Sequence, residues 1–327
     1  MTKEIAEEAH ESSIAIINTA FKQLGVASSP LKRLSDNIQQ IEETKKEIGI
    51  GSYKLQKLVK GGFEDSKYSL RQKTVSINLQ RIIDAFFVGK AILLEGPPGV
   101  GKTSLIETLA KKVGIKLYRI NLSEQTDLID LLGSDVPTDS SSLFKWADGV
   151  LLKAMKEGAW LLLDELNMAS QTVLEGLNSI LDHRGSIYLP ELDITVEKKE
   201  GFKIFASQNP MAMGSGRKGL PHSFLTRFSR IWLQAYTEAD LRAIVETIYF
   251  EELKVKEIQQ LIDFFFEIKH RFGNAEDGSG WEFNLRDLHT IFDLLEESKK
   301  AETKPTNLQT NIGEICKIVV FNRLHTT

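Results

Sequence analysis

The sequence predicts an α/β fold: a mainly parallel sheet with flanking helices and a β-hairpin insert, followed by a small all-helical lid and preceded by a helical extension. Three observations carry this expectation. Between about residues 68 and 232, short apolar runs alternate with helical periods, as parallel strands joined by crossover helices require. One interruption, residues 186–196, alternates in a strand-like way around Pro190, Glu191 and Leu192 and reads as a hairpin. After Ala235 the apolar spacing is helical throughout.

In chain order, residues 1–67 form the expected helical extension, or the end of a preceding module. Residues 3–48 are polar with scattered Ile and Leu and suggest two amphipathic helices broken at Ala27, Ser28, Ser29 and Pro30; Gly51, Gly61 and Gly62 then mark a boundary. The α/β unit follows over 68–234, with strands expected at 91–94, 117–122, 160–163, 203–207 and 231–233. Leu105, Leu109 and Val113, with Ile106 and Ala110 beside them, form one helix face that Lys111, Lys112 and Gly114 close. Val173, Leu174, Leu177, Ile180 and Leu181 form another. The lid, 235–327, opens on Thr237 and Asp240, spaced as a capping box ahead of Leu241, Ile244, Val245 and Ile248. Ile258, Leu261, Ile262, Phe265, Ile268 and Phe272 continue it, and Asn284 with Asp287 opens a last helix carrying Leu288, Ile291, Phe292 and Leu295.

Composition narrows the function classes. With 42% hydrophobic and 26% charged residues, 23 Gly and 8 Pro, collagen-like and wholly disordered chains are excluded. The formal charge of −4 is no field for polyanions, so sequence-specific nucleic-acid binding is not expected. Cys316 is the single cysteine, which rules out an intrachain disulfide and a thiolate zinc site and suits a reducing compartment. The most apolar stretch, 82–94, contains Asp84 and Lys90 and is too short to span a membrane; no apolar h-region follows the N-terminus, so a soluble, non-secreted chain is expected.

The chemistry concentrates at three strand ends. Gly96-Pro97-Pro98-Gly99-Val100-Gly101-Lys102-Thr103-Ser104 is a complete phosphate-binding loop between an apolar strand and an amphipathic helix. Its glycines let backbone N–H groups converge on phosphate oxygens at a helix N-terminus. Lys102 is suited to the β and γ phosphates of ATP and the Thr103 hydroxyl to Mg²⁺. Trp160-Leu161-Leu162-Leu163-Asp164-Glu165 is an apolar strand ending in two carboxylates: Asp164 for the metal, Glu165 to polarise the attacking water. Phe205-Ala206-Ser207-Gln208-Asn209 ends another strand in an amide. Asn209 before Pro210 is suited to a plain turn, or, at the same sheet edge, to orienting the water.

Together these features resemble the AAA+ ATPase module. More narrowly, the phosphate-loop segment 94–106, Arg119-Ile120-Asn121-Leu122-Ser123-Glu124-Gln125-Thr126-Asp127-Leu128, Leu163-Asp164-Glu165-Leu166-Asn167-Met168-Ala169-Ser170-Gln171, Leu181-Asp182-His183-Arg184 and Gly216-Arg217-Lys218-Gly219-Leu220-Pro221 resemble the midasin family. Those are dynein-related AAA+ proteins of large ribosomal subunit assembly, which join six modules in one chain. The resemblance implies an arginine finger at Arg227, acting on a neighbouring module's nucleotide, where the plainer reading is an Arg anchoring a turn. It also implies a lid arginine at Arg286, acting on its own or a neighbour's phosphates. Neighbouring modules of a six-membered ring, the pre-60S ribosomal particle and the nucleus are the implied partners and place.

The insert 135–146 and the loop 214–219, with Arg217 and Lys218, read either as contact surfaces or as solvated loops. His183, His222 and His289 lack metal-like spacing and receive no role. A single module in place of six admits an excised module, a gene fragment or a stand-alone relative. The competing function readings are a cytoplasmic, self-assembling MoxR-like chaperone ATPase and a nucleotide-binding structural module with little hydrolysis.

Overall fold

The computed structural model describes residues 41–44, 46–50, 53–58, 72–137, 144–182, 184–209, 219–249, 255–272 and 285–301. The described residues all belong to one unit. Its centre is a five-stranded, fully parallel sheet made of β4 (Ala91–Glu95), β5 (Leu117–Asn121), β8 (Trp160–Asp164), β11 (Lys203–Gln208) and β12 (Phe228–Trp232), in the order β12-β4-β11-β8-β5.

The middle strands are apolar on both faces because both faces are covered. Ile92, Leu94, Trp160, Leu162 and Phe205 pack with α1 (Lys73–Phe86) and α2 (Lys102–Val113) on one side. Leu93, Leu161, Leu163, Ile204 and Ala206 pack with α4 (Val150–Glu157) and α5 (Gln171–Leu181) on the other. The expected faces of α2 and α5 are the buried ones, apart from Leu181, which is partly exposed. Gly114 closes α2 at φ 78°, a left-handed position that costs any residue with a Cβ. The Ser170 hydroxyl accepts the Val173 N–H to start α5.

The expected hairpin is present as β9 (Ser186–Leu189) and β10 (Ile194–Glu197). A second hairpin, β6 (Gly133–Pro137) with β7 (Phe144–Asp148), occupies the expected insert between α3 (Leu128–Leu132) and α4. Residues 214–218 of the loop 214–219, and Asn284, lie outside the described residues.

The structure departs from expectation at the N-terminal side. Helix was expected to about residue 48, and a bare boundary after it. Instead β1 (Glu42–Glu43), β2 (Glu47–Ile50) and β3 (Tyr53–Gln56) form a small antiparallel sheet. Ile48 and Leu55 belong to the same core as α1 and α2, so this sheet is part of the α/β unit rather than a linker. The Thr44 hydroxyl accepts the Lys46 and Glu47 N–H groups, making a turn where the charged composition reads as helix. The proposed helices before residue 41 lie outside the described residues.

Among the described residues the lid shows α7 (Glu238–Tyr249), α8 (Val255–Phe272) and α9 (Leu285–Ala301), whose apolar faces form a core of their own. One face of α1 holds the connection to it. Arg81 donates to the Trp232 carbonyl at 2.8 Å, and the buried Asn78 amide donates to the Gln234 carbonyl at 3.0 Å and accepts its N–H at 2.9 Å. The Thr74 hydroxyl donates to Asp240. Asp240 is also the far half of the expected capping box, accepting the Thr237 N–H at 3.0 Å while Thr237 Oγ1 accepts the Asp240 N–H at 3.2 Å.

Burial pushes the Asp240 carboxyl up, but hydrogen bonds from Thr237 and Thr74 outweigh it and hold the pKa below the ordinary value. A depressed carboxylate adds stability above its unfolded pKa of about 4 and loses it as pH falls through the folded value. Asp240→Asn is therefore expected to lower the melting temperature at pH 7. The deficit should shrink below about pH 4, where the wild-type carboxyl is also neutral. Melting curves of both proteins from pH 7 to 3 check this; a deficit constant with pH would mean the charge is immaterial.

Candidate functional site

Parallel pairing brings Glu95, Asn121, Asp164 and Gln208 to the same edge of the sheet. There the chain leaves β4 through the glycine loop and enters α2, with Gly99 and Gly101 at φ 77° and 75°. Those left-handed positions let the loop fold back beneath the helix N-terminus. Lys102 is only 9% exposed, and its Nζ donates to the Gly96 carbonyl at 2.8 Å, the Pro97 carbonyl at 2.9 Å and Asn209 Oδ1 at 2.6 Å.

Asn209 continues the chain of contacts. Its Nδ2 donates to Glu165 Oε1 at 2.7 Å. Because an ammonium only donates and a carboxylate only accepts, the amide has one orientation that satisfies both. Asn209 is buried, and its carbonyl accepts from Asn167 Nδ2 at 3.2 Å, so it is a rigid bridge rather than a solvated turn. Glu165 sits at φ 55°, ψ 49°, a strained backbone for a residue with a side chain, and its Oε2 is buried without a hydrogen-bond partner among the described residues.

Asp164 is held from three sides. Oδ2 accepts from Thr103 Oγ1 at 3.0 Å and from Arg119 Nη2 at 2.7 Å, and Oδ1 accepts from the buried Ser207 hydroxyl. Burial raises its pKa, but the hydrogen bonds from Ser207, Thr103 and Arg119, with the Arg119 charge, prevail and leave it below the ordinary value. It is therefore a carboxylate at neutral pH.

Pro98, Gly99, Gly101, Lys102, Thr103, Ser104, Asp164, Glu165, Asn209 and Arg286 line one cleft of about 390 Å³. Arg286 is in the first turn of α9, so the lid forms one wall. Gly96 and Pro97 contribute carbonyls to Lys102 instead, and the Val100 side chain is buried in the core beneath the loop. Arg227 is elsewhere. It lies between α6 (His222–Leu225) and β12, whose first residue pairs with Ala91, whereas the glycine loop follows Glu95 at the other end of β4, about 15 Å away at strand rise. There its Nη1 donates to the Asn178 carbonyl at 3.3 Å.

Four residues of the site escaped the sequence reading as functional groups. Arg119, Asn121 and His289 line the cleft, and Ser207 grips Asp164 from beneath. Only β-strand alternation hints at the first two, since Arg119 and Asn121 share a face of β5. That this face meets Asp164 depends on β5 lying beside β8.

The residues present fit a nucleotide and its metal. Lys102, Arg119 and Arg286 on one cleft suit a polyphosphate, and the orphaned Glu165 Oε2 suits a water. The Thr103 hydroxyl and Asp164 carboxylate are adjacent hard oxygens. Mg²⁺ is usually held by one or two such protein ligands with phosphates and waters completing it. Among the described residues no cluster of three or more His, Cys, Asp or Glu offers a protein-only metal cage.

The chain has relatives among known proteins. Residues 91–228 match the family described as AAA domain (dynein-related subfamily), and residues 240–327 match the Midasin AAA lid domain. The chain belongs to the dynein-related AAA family. Within it, the chain is 43% identical over 286 residues to the Midasin of Dictyostelium discoideum, covering 85% of this chain and 5% of that one. It is 46% identical over 236 residues to the Midasin of Giardia intestinalis, covering 70% and 5%. An uncharacterized protein of Staphylococcus aureus (strain USA300) is 34% identical over 187 residues, 55% of this chain and 68% of that protein. The chain thus spans about 5% of the length of the midasins it matches, as a single dynein-related AAA module with a midasin-type lid.

Proposed function

We propose that this AAA+ ATPase module binds Mg²⁺ and ATP in the cleft between the glycine loop and α9, and hydrolyses ATP when a neighbouring module supplies the missing cation. The observation that carries the reading is the Lys102–Asn209–Glu165 chain of contacts beside the Thr103–Asp164 pair. It joins a phosphate-binding ammonium, through a single rigid amide, to a carboxylate with one oxygen unpartnered among the described residues. When bound, Mg²⁺ draws charge from the phosphates and fixes their geometry.

The chain's own groups do the rest. Lys102 exchanges carbonyl partners for phosphate oxygens, Glu165 accepts the proton of the attacking water, and Asn209 holds Glu165 in place. Arg286 approaches the phosphates from the lid. Arg227, at the opposite strand end, serves the nucleotide of the next module in a ring.

By its relation to the midasins, the ring is a midasin-like motor that remodels pre-60S ribosomal particles in the nucleus. Among the described residues no helix is long and apolar enough to cross a membrane. A second reading is that identical chains assemble the ring themselves; what supports it is only that this one module matches 68% of the Staphylococcus aureus relative.

Steady-state ATPase activity over a series of protein concentrations, beside ATP binding by calorimetry, tests the reading. Binding with turnover only at high concentration, or only with neighbouring modules added, is the expected result. Arg227→Ala should then lower turnover by about 10³-fold with ATP affinity unchanged. If Arg227→Ala turns over normally, the trans role is wrong; if the wild type binds no ATP, so is the whole proposal.

A further inference from the structure

A second cavity, of about 460 Å³, lies at the other edge of the sheet, where β4 and β11 begin and α5 ends. Its charged groups are unbalanced. Lys90, Lys198, Lys203 and Arg227 line it against one carboxylate, Asp182, which has an interaction of its own.

None of the four cations forms an ion pair among the described residues, and the partners they do have are neutral. Lys90 Nζ donates to the Thr226 carbonyl at 3.1 Å, Arg227 Nη1 to the Asn178 carbonyl, and Lys203 Nζ to the Phe86 carbonyl at 3.0 Å, lying 4.7 Å over that ring. Arg227 Nε is buried with no acceptor among the described residues. Burial, and after it the charge of Lys198, pushes the Lys203 ammonium down to about 8.

Like charges converging on a cavity with an unsatisfied guanidinium nitrogen constitute a receptor for an anion. A monovalent carboxylate neutralises one of them; an oligophosphate, with several charges and many acceptor oxygens, suits the set and the volume. We propose that this cavity is a phosphoryl-binding site in which Lys198 and Lys203 act with Arg227. The anion has two possible sources: phosphate free in solution, or the nucleotide held by another module. The second source, and only that, rests on the function proposed above. In that case Lys198 and Lys203 join Arg227 in holding a neighbour's phosphates.

The test uses the full chain carrying Lys102→Ala, so that its own loop no longer holds phosphate, titrated with tripolyphosphate by calorimetry. One site per chain is expected, weakening with salt. Adding Lys198→Ala, an exposed position, or Lys203→Met, which keeps the stem on Phe86, should weaken binding by about tenfold or more. No binding, or affinity unchanged in both variants, overturns the site. If Lys102→Ala does not fold, the ADP-saturated wild type with and without Lys198→Ala gives the same comparison.

Sedimentation then identifies the source. Association of the ATP-loaded wild type with the Lys102→Ala chain, abolished by Lys198→Ala in the latter, assigns the anion to a neighbour's nucleotide. Tripolyphosphate binding without association assigns it to free phosphate. Failure of the wild type to bind ATP would sink the ATPase proposal and leave this site standing.

Discussion

Glu165→Gln is expected to lower ATP turnover by about 10²–10⁴-fold while ATP stays bound. The substitution keeps what is structural about the residue and removes what is chemical. A glutamine oxygen still accepts the Asn209 Nδ2 hydrogen bond that Glu165 Oε1 accepts at 2.7 Å. The left-handed backbone at φ 55° is no harder for Gln than for Glu. What disappears is the basicity of Oε2, the buried oxygen that has no partner among the described residues. Single-turnover hydrolysis with labelled ATP, beside calorimetry, separates the two effects. Full turnover in the variant would remove Glu165 from the chemistry, and loss of ATP binding would make it a structural residue instead.

Lys102→Ala is expected to weaken ATP binding by about 10²-fold or more, since hydrogen bonds from a charged donor contribute about 1.5–3 kcal/mol each and 1.4 kcal/mol is tenfold. The same change also acts without nucleotide. Nζ serves two loop carbonyls and Asn209, so its removal leaves all three acceptors without this donor and frees Asn209 to swing away from Glu165. Turnover should therefore fall by more than the loss of affinity explains, even at saturating ATP. Calorimetry with a melting curve on the same sample distinguishes a lost contact from a lost fold. Undiminished ATP affinity in a folded variant would refute the phosphate-loop assignment.

Much of the fold was legible because it is written in short-range patterns. The runs ending at Leu94, Leu163 and Ser207, the helix faces around Leu105 and Val173, the hairpin at 186–196 and the Thr237–Asp240 cap each depend on residues within a few positions of one another. The sheet at 42–56 was not legible in this way. Its strands of two to four residues are too short for alternation to outweigh the helical composition around them, and Ile48 and Leu55 become core residues only because α1 and α2 lie over them.

The chemical inventory and the local frame of each group are written in short stretches of sequence: a glycine loop before Lys102 and Thr103, Asp164 and Glu165 at one strand end, Asn209 at another. Which groups meet is set by long-range packing. The strand order β12-β4-β11-β8-β5 does not follow chain order, so Ser207 beneath Asp164, Arg119 beside it and the Asn209 bridge are consequences of sheet pairing across distant segments. The same pairing sets Arg227 at the far end of β12 from its own cleft. Side chains with no common local period meet only where hydrogen-bond register and burial on both sheet faces fix the strands, and that choice is made by the packed whole.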